Sequence, residues 1–148
     1  MNQLDLKGRT AIVTGGLIGI GAAIAKRLED SGAEVRIWDV GDNSDPVDVT
    51  DLKAIERATA KAMAELGRID CVFNAAGHAD FGPIEEWSLE RWNRMLGVHA
   101  GGTFLSCKHT LPHLRARDGG AIVNVASIAA ITAQPFNAPY GAAKAAII

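Results

Sequence analysis

The run RTAIVTGGLIGIG, Arg9 to Gly21, constrains this chain more than any other stretch. Its first half, Arg9 to Gly15, is a short, β-branched apolar run closed by glycine, the pattern of a buried strand. The segment GIGAAIAKRLEDSG follows, with Ile20, Ala23, Ile24 and Leu28 at helical spacing and Gly32 as its stop. A strand fed into a helix through a G-x-x-x-G-x-G turn suits one task above others. Gly15 permits the tight turn, Gly19 lets backbone approach a pyrophosphate, and Gly21 lets the helix pack on the strand. The helix N-terminus adds free N–H groups and a positive dipole end for an anion. Gly15, Leu17, Ile18, Gly19, Ile20 and Gly21 are therefore candidate cofactor contacts. The competing reading is a glycine-rich turn with no ligand.

The rest of the chain continues the alternation. EVRIWDV (Glu34 to Val40) reads as a second strand and PVDV (Pro46 to Val49) as a short third. DLKAIERATAKAMAELG reads as an amphipathic helix with Leu52, Ile55 and Leu66 on one side, Thr50 as N-cap and Gly67 as C-cap. CVFNAAG is a fourth strand. A long helical stretch runs from about Leu89 to about Arg115. GGAIVNVAS is a fifth strand, entered through a turn at Asp118–Gly120, and a last helix starts near Pro139. This order predicts an α/β fold: a doubly wound parallel sheet, Rossmann-like, with right-handed crossovers and helices on both faces. Ligands of such sheets bind at the carboxyl ends of the strands.

Composition narrows the classes. With 148 residues there is room for a single domain with a real core, and 48% hydrophobic against 22% charged residues is the balance of a globular protein. The net charge of -2 and the lack of a basic block argue against a nucleic-acid partner. No apolar run is long enough to span a membrane, and MNQLDLKGRT lacks the apolar core of a signal peptide. Cys71 and Cys107 lack metal-ligand spacing and read as reduced, buried thiols of a cytoplasmic protein. His78, His109 and His113 show no ligand spacing either and read as surface residues, so no metal site is expected.

Asp39 ends the second strand, 24 residues after Gly15. A carboxylate there accepts hydrogen bonds from both ribose hydroxyls of an adenosine and repels a 2′-phosphate. No Lys or Arg follows it, which favours NAD over NADP. The alternative is a solvated loop acid.

Five segments together resemble the classical short-chain dehydrogenase/reductase family: TGGLIGIG, DVTD (Asp48 to Asp51), NAAG (Asn74 to Gly77), Ser127 after IVNVA, and YGAAK. The resemblance covers almost the whole chain. It implies that Asp48 and Val49 touch the adenine ring and that Asn74, Ala75, Ala76 and Gly77 stabilise the sheet and line the cofactor cleft. It implies a strand order third-second-first-fourth-fifth and a hydride moved between a nicotinamide and a secondary alcohol or ketone carbon. Ser127 precedes Tyr140 by 13 residues, the family's separation between catalytic Ser and Tyr. Tyr140 and Lys144 are four apart, so on a helix they share a face. A free phenol is a poor base near neutrality, and a neighbouring ammonium favours its phenolate. By resemblance Tyr140 is the acid/base, Ser127 bonds the substrate oxygen, and Lys144 also holds the nicotinamide ribose. One position departs from the family. In VHAGGTF, His99 stands where an Asn is expected. It either relays a proton itself or fills a kink near Gly97, Gly101 and Gly102.

The end AAKAAII is apolar and uncapped, and ten residues from Pro139 make a short helix. The expectation is one dinucleotide-binding domain over 1–148, incomplete at its C-terminus after about five strands. A longer form would be a homodimer or homotetramer by resemblance. The competing function is a catalytically incompetent nucleotide-binding fragment. A methyltransferase on a related fold would leave Ser127, Tyr140 and Lys144 unexplained.

Overall fold

The computed structural model describes residues 4–117 and 119–148. Four parallel strands form one sheet: β1 (Thr10–Thr14), β2 (Glu34–Trp38), β3 (Cys71–Asn74) and β4 (Ala121–Asn124), in the order β2-β1-β3-β4. The register runs Ile12 beside Arg36 on one side and beside Val72 on the other, and Val72 beside Ile122. Helices α1 (Gly19–Asp30), α2 (Leu52–Leu66), α3 (Leu89–Leu96), α4 (Gly102–Arg115) and α5 (Ala138–Ala145) complete the fold.

Every residue of β1 is buried, because it is a central strand with helices on both faces. Its alternate side chains feed two cores. Ile12 joins Val72, Ile55, Ala58, Ala62 and Leu114 beneath α2 and α4. Ala11 and Val13 join Ala25 and Leu28 beneath α1. This is the doubly wound arrangement expected.

The sheet has four strands where five were expected. Pro46–Val49 is extended but pairs with no strand. The reason is length. Only residues 39–45 separate Trp38 from Pro46, and a parallel neighbour needs a crossover of a dozen residues or more. The segment instead folds back, with Val47 N–H donating to Asp39 O at 3.0 Å, and Val47 and Val49 drop into the core.

Other boundaries shift for local reasons. Asp51, not Thr50, caps α2, its carboxylate accepting from Lys53 N–H at 2.8 Å. Gly67 ends that helix with φ +68, as expected. Leu52 is 42% exposed rather than buried. The long helical stretch runs from Leu89 to Arg115 as expected, with a π-helical turn, Gly97–Gly101, joining α3 to α4. Asp118, in the expected turn before β4, lies outside the described residues. Both cysteines are free but only half-buried. α5 begins at Ala138 with Pro in its first turn.

Candidate active site

A cleft of about 840 Å³ opens at the carboxyl ends of β1, β2 and β3. From the first loop it is lined by Gly15, Ile18, Gly19, Ile20 and Gly21. Ile20 is 66% exposed because it faces this opening and not the core. From the other strand ends come Asp39, Asp48, Val49, Ala75, Ala76 and Gly77. Eleven of the cofactor contacts read from the sequence thus share one cavity.

The loop has the shape an anion needs. A Cβ on Gly21 would collide with the Gly15 carbonyl, so the first turn of α1 sits tight on the loop. Gly19 has φ +56, and a Cβ there would meet no protein atom within 4 Å. That open space over a helix N-terminus is where a pyrophosphate fits. The Thr14 hydroxyl accepts from Ala75 N–H (3.1 Å) and Ala76 N–H (3.0 Å), fixing the end of β3 beside the loop.

Asp39 is half-buried and held by two backbone donors, Leu17 N–H at 3.1 Å and Gly41 N–H at 2.9 Å. Leu17 therefore acts through its N–H; its side chain does not line the cleft. Asp48 accepts from Thr50 N–H and hydroxyl at 2.8 and 2.7 Å, a local turn that presents its carboxylate to the same cavity. Asn74 lies beneath, its amide bonded to Asn124 Oδ1 at 2.8 Å, tying β3 to β4. The donor set fits an adenine dinucleotide: a bare glycine turn for the phosphates and a fixed carboxylate for the ribose.

Among the lining residues that escaped the sequence reading are Glu90, Asn93 and Arg94 of α3. Their spacing, one helical face continued by Gly97, was the available signal. Arg94 is the one Lys or Arg of the lining and brings positive charge to the cleft.

The second cluster surrounds Tyr140. Its ring stands edge-on to His99, centroids 5.4 Å apart at 89°. Lys144 Nζ lies 5.8 Å from the Tyr140 ring centroid, on the shared helix face expected. Lys144 is buried and donates to Val125 O at 2.6 Å, fastening α5 to the chain leaving β4. Burial pushes its ammonium below the usual lysine range. Ser127 follows β4, half-buried, and its hydroxyl accepts from Ala129 N–H at 3.2 Å, which orients it at the start of a short 3-10 turn.

His99 is 1% exposed, inside the π turn. Nε2 lies 2.8 Å from His78 O and 3.2 Å from His78 N. One nitrogen cannot donate and accept at once; the shorter contact assigns the proton to Nε2. Nδ1 is then a buried acceptor with no protein partner. Burial lowers the basicity of this ring, the bond to the His78 carbonyl opposes that, and Lys144 adds to the lowering, so the ring is neutral at pH 7. A Cβ on Gly77 would collide with the ring, so that glycine is what admits it. His78 is not a surface residue: it is half-buried, lines the cleft, and its ring sits 5.5 Å from that of His99. His109 is also half-buried, with Nε2 enclosed and unpartnered.

The chain thus carries a glycine loop, an acid after β2 and a Tyr-x-x-x-Lys helix, and the family model for short chain dehydrogenase matches residues 9–148. The chain belongs to the short-chain dehydrogenase family. D-threitol dehydrogenase of Mycolicibacterium smegmatis is 36% identical over 160 residues, covering 97% of this chain and 62% of that protein. Cis-4-hydroxycyclohexanecarboxylate dehydrogenase of Sinomonas cyclohexanicum is 36% identical over 156 residues, covering 94% and 63%. The ligand-free aldohexose dehydrogenase of Thermoplasma acidophilum superposes with a TM-score of 0.92 at 29% identity, over 96% of this chain and 58% of that one. The chain thus spans about 62% of the length of the curated relatives it matches first. Among the described residues, no helix is long and apolar enough to cross a membrane, and no group of three or more His, Cys, Asp or Glu could hold a metal ion.

Proposed function

We propose that this chain is the cofactor-binding and proton-transferring part of an NAD-dependent dehydrogenase acting on a secondary alcohol or ketone. The observation that carries the reading is the junction of the two clusters. His78 lines the cleft, its backbone holds His99, and His99 abuts Tyr140. The dinucleotide would supply the hydride acceptor or donor at the nicotinamide carbon. Gly15, Gly19 and Gly21 would leave room for its phosphates, and Asp39 would take its ribose hydroxyls. In oxidation the Tyr140 oxygen takes the alcohol proton, and in reduction it returns it. Lys144 would hold the nicotinamide ribose with the ammonium protons that Val125 leaves free. The Ser127 hydroxyl donates to the substrate oxygen as charge develops there. The relatives named above, a polyol and a cycloalkanol dehydrogenase, support a small hydroxylated substrate.

NADH formation from a secondary alcohol tests the activity. Tyr140→Phe keeps the ring and removes the acid, so turnover should vanish while cofactor binding survives. Unchanged turnover in that variant would end the assignment. Calorimetric titration tests the cofactor: NAD should bind more tightly than NADP, and Asp39→Ala should narrow the gap. Tighter NADP binding would reverse the reading.

A second reading, nucleotide binding without turnover, draws on exposure. The cleft is built from the ends of β1, β2 and β3, whereas Ser127 and Tyr140 follow β4, the least covered strand, with three of its four residues exposed. Binding of NAD with no hydride transfer from any alcohol would favour it.

A further inference from the structure

Two exposed phenylalanines, Phe81 and Phe136, sit on adjoining loops next to the helix of Tyr140, and neither belongs to either core. Phe81 is 58% exposed, with its ring centroid 6.4 Å from that of Tyr140. Phe136 is 63% exposed, four residues before Tyr140 in sequence. Gly82 N–H donates to Phe136 O at 3.0 Å, which sets the two aromatic-bearing loops side by side.

Phe136 is the one non-glycine residue with positive φ, +60, among the described residues. A bulky side chain in left-handed backbone costs free energy, and an exposed aromatic ring recovers none of it by burial. The loop of Phe81 is held as firmly. Asp80 takes a two-point bond from Arg91 (2.7 and 3.1 Å), whose guanidinium lies 4.3 Å over the Trp87 ring. The two adjoining loops thus carry two exposed aromatic rings, that of Phe81 6.4 Å from the Tyr140 ring and that of Phe136 just ahead of the helix that bears Tyr140. Such surfaces favour flat, apolar faces over extended polar chains.

We propose that Phe81 and Phe136 form an aromatic rim that selects secondary alcohols carried on an apolar ring. This rests on the dehydrogenase reading above and deepens it by naming the substrate class. The rim residues make contact with the ring carbons, and Tyr140 takes the proton of the hydroxyl that the ring bears.

The test uses cyclohexanol and 3-hexanol, of equal carbon count, with the chain and NAD. Ligand-observed magnetic resonance reads affinity, and NADH absorbance reads turnover. Cyclohexanol should bind about fivefold more tightly than 3-hexanol, the scale of one aromatic contact. Phe81→Ala and Phe136→Gly should each reduce that preference. Phe136→Gly should leave the melting temperature unchanged or higher, because glycine relieves the strained φ. Equal affinity for the two alcohols, binding of neither, a preference surviving both substitutions, or a lower melting temperature for Phe136→Gly would each overturn the rim. Open-chain turnover without ring preference would sink the rim and keep the dehydrogenase. Ring binding without hydride transfer from any alcohol would keep the rim and sink the dehydrogenase.

Discussion

His99 shows how far a single residue can be read before its neighbours are known. The sequence marks it as a departure from a family pattern and leaves two roles open, proton relay or kink filler. The structure gives it a π turn to occupy, the backbone of His78 to hold, and the edge of Tyr140 to support. The kink was legible from Gly97, Gly101 and Gly102; the partners were not, because His78 lies 21 residues away and is engaged through its main chain. A ring whose Nε2 proton is committed to a carbonyl is a poor relay. His99→Asn should therefore keep turnover within about tenfold, or about 1.4 kcal/mol of barrier. A thousandfold loss would show that the imidazole carries the proton. The same ring gives a pH signature. Its folded basicity is depressed, so its contribution to stability is complete above the unfolded pKa near 6.5 and declines as pH falls below it. In His99→Asn, denaturant titrations between pH 7 and about 5 should show a smaller decline than wild type. An identical decline would mean that the ring charges freely in the fold.

The elements follow the same division between local and distant causes. The first strand, the glycine turn and the first helix were legible because period and punctuation agree over Arg9–Gly32. The third strand was misread because Val47 and Val49 have strand residues, while the length of the connection to Trp38 decides pairing. The mouth of the sheet was missed altogether. Asp70, 2% exposed, gathers Thr10 N–H (2.9 Å), Arg9 (3.2 Å) and Arg68. Its backbone N–H donates to Thr10 O and its carbonyl accepts from Ala121 N–H, so one residue joins the starts of β1, β3 and β4. In sequence it is an unremarkable Arg-Ile-Asp before an apolar run. Burial would raise its carboxyl, but the bonds from Arg68, Thr10 and Arg9 outweigh burial and hold it at about 2. A depressed carboxyl stabilises the fold fully above its unfolded value near 4, and that contribution fades as pH falls toward 2. The amount is about 2 kcal/mol. Asp70→Asn should lower stability at neutral pH and flatten the dependence between pH 5 and 2. Equal acid sensitivity in both proteins would remove Asp70 from that account.

For the molecule as a whole, the two edges of the sheet differ. At the β2 edge, Arg36–Glu65 and Lys61–Asp45 ion pairs (2.8 and 2.5 Å) stand beside the strand, and charge discourages pairing with another chain. At the other edge β4 pairs only with β3 among the described residues, and its sequence AIVN carries no charge. Val123 is 44% exposed on it, and Ile128 and Ile131 just beyond are 60% and 74% exposed. An uncharged, β-branched edge beside apolar surface is a template for strand addition. The apolar run was legible in GGAIVNVAS; its position at an edge follows from the topology. The 148-residue chain expressed as such should therefore self-associate, with elution from a size-exclusion column moving to larger size as concentration rises. Val123→Lys puts a charge on the edge without touching either core, and should return the chain toward monomer while leaving NAD affinity within about twofold, a change of about 0.4 kcal/mol. A sharp monomer peak for the unmodified chain at every concentration would show that the β4 edge is protected, and association that persists in Val123→Lys would place the contact on another surface.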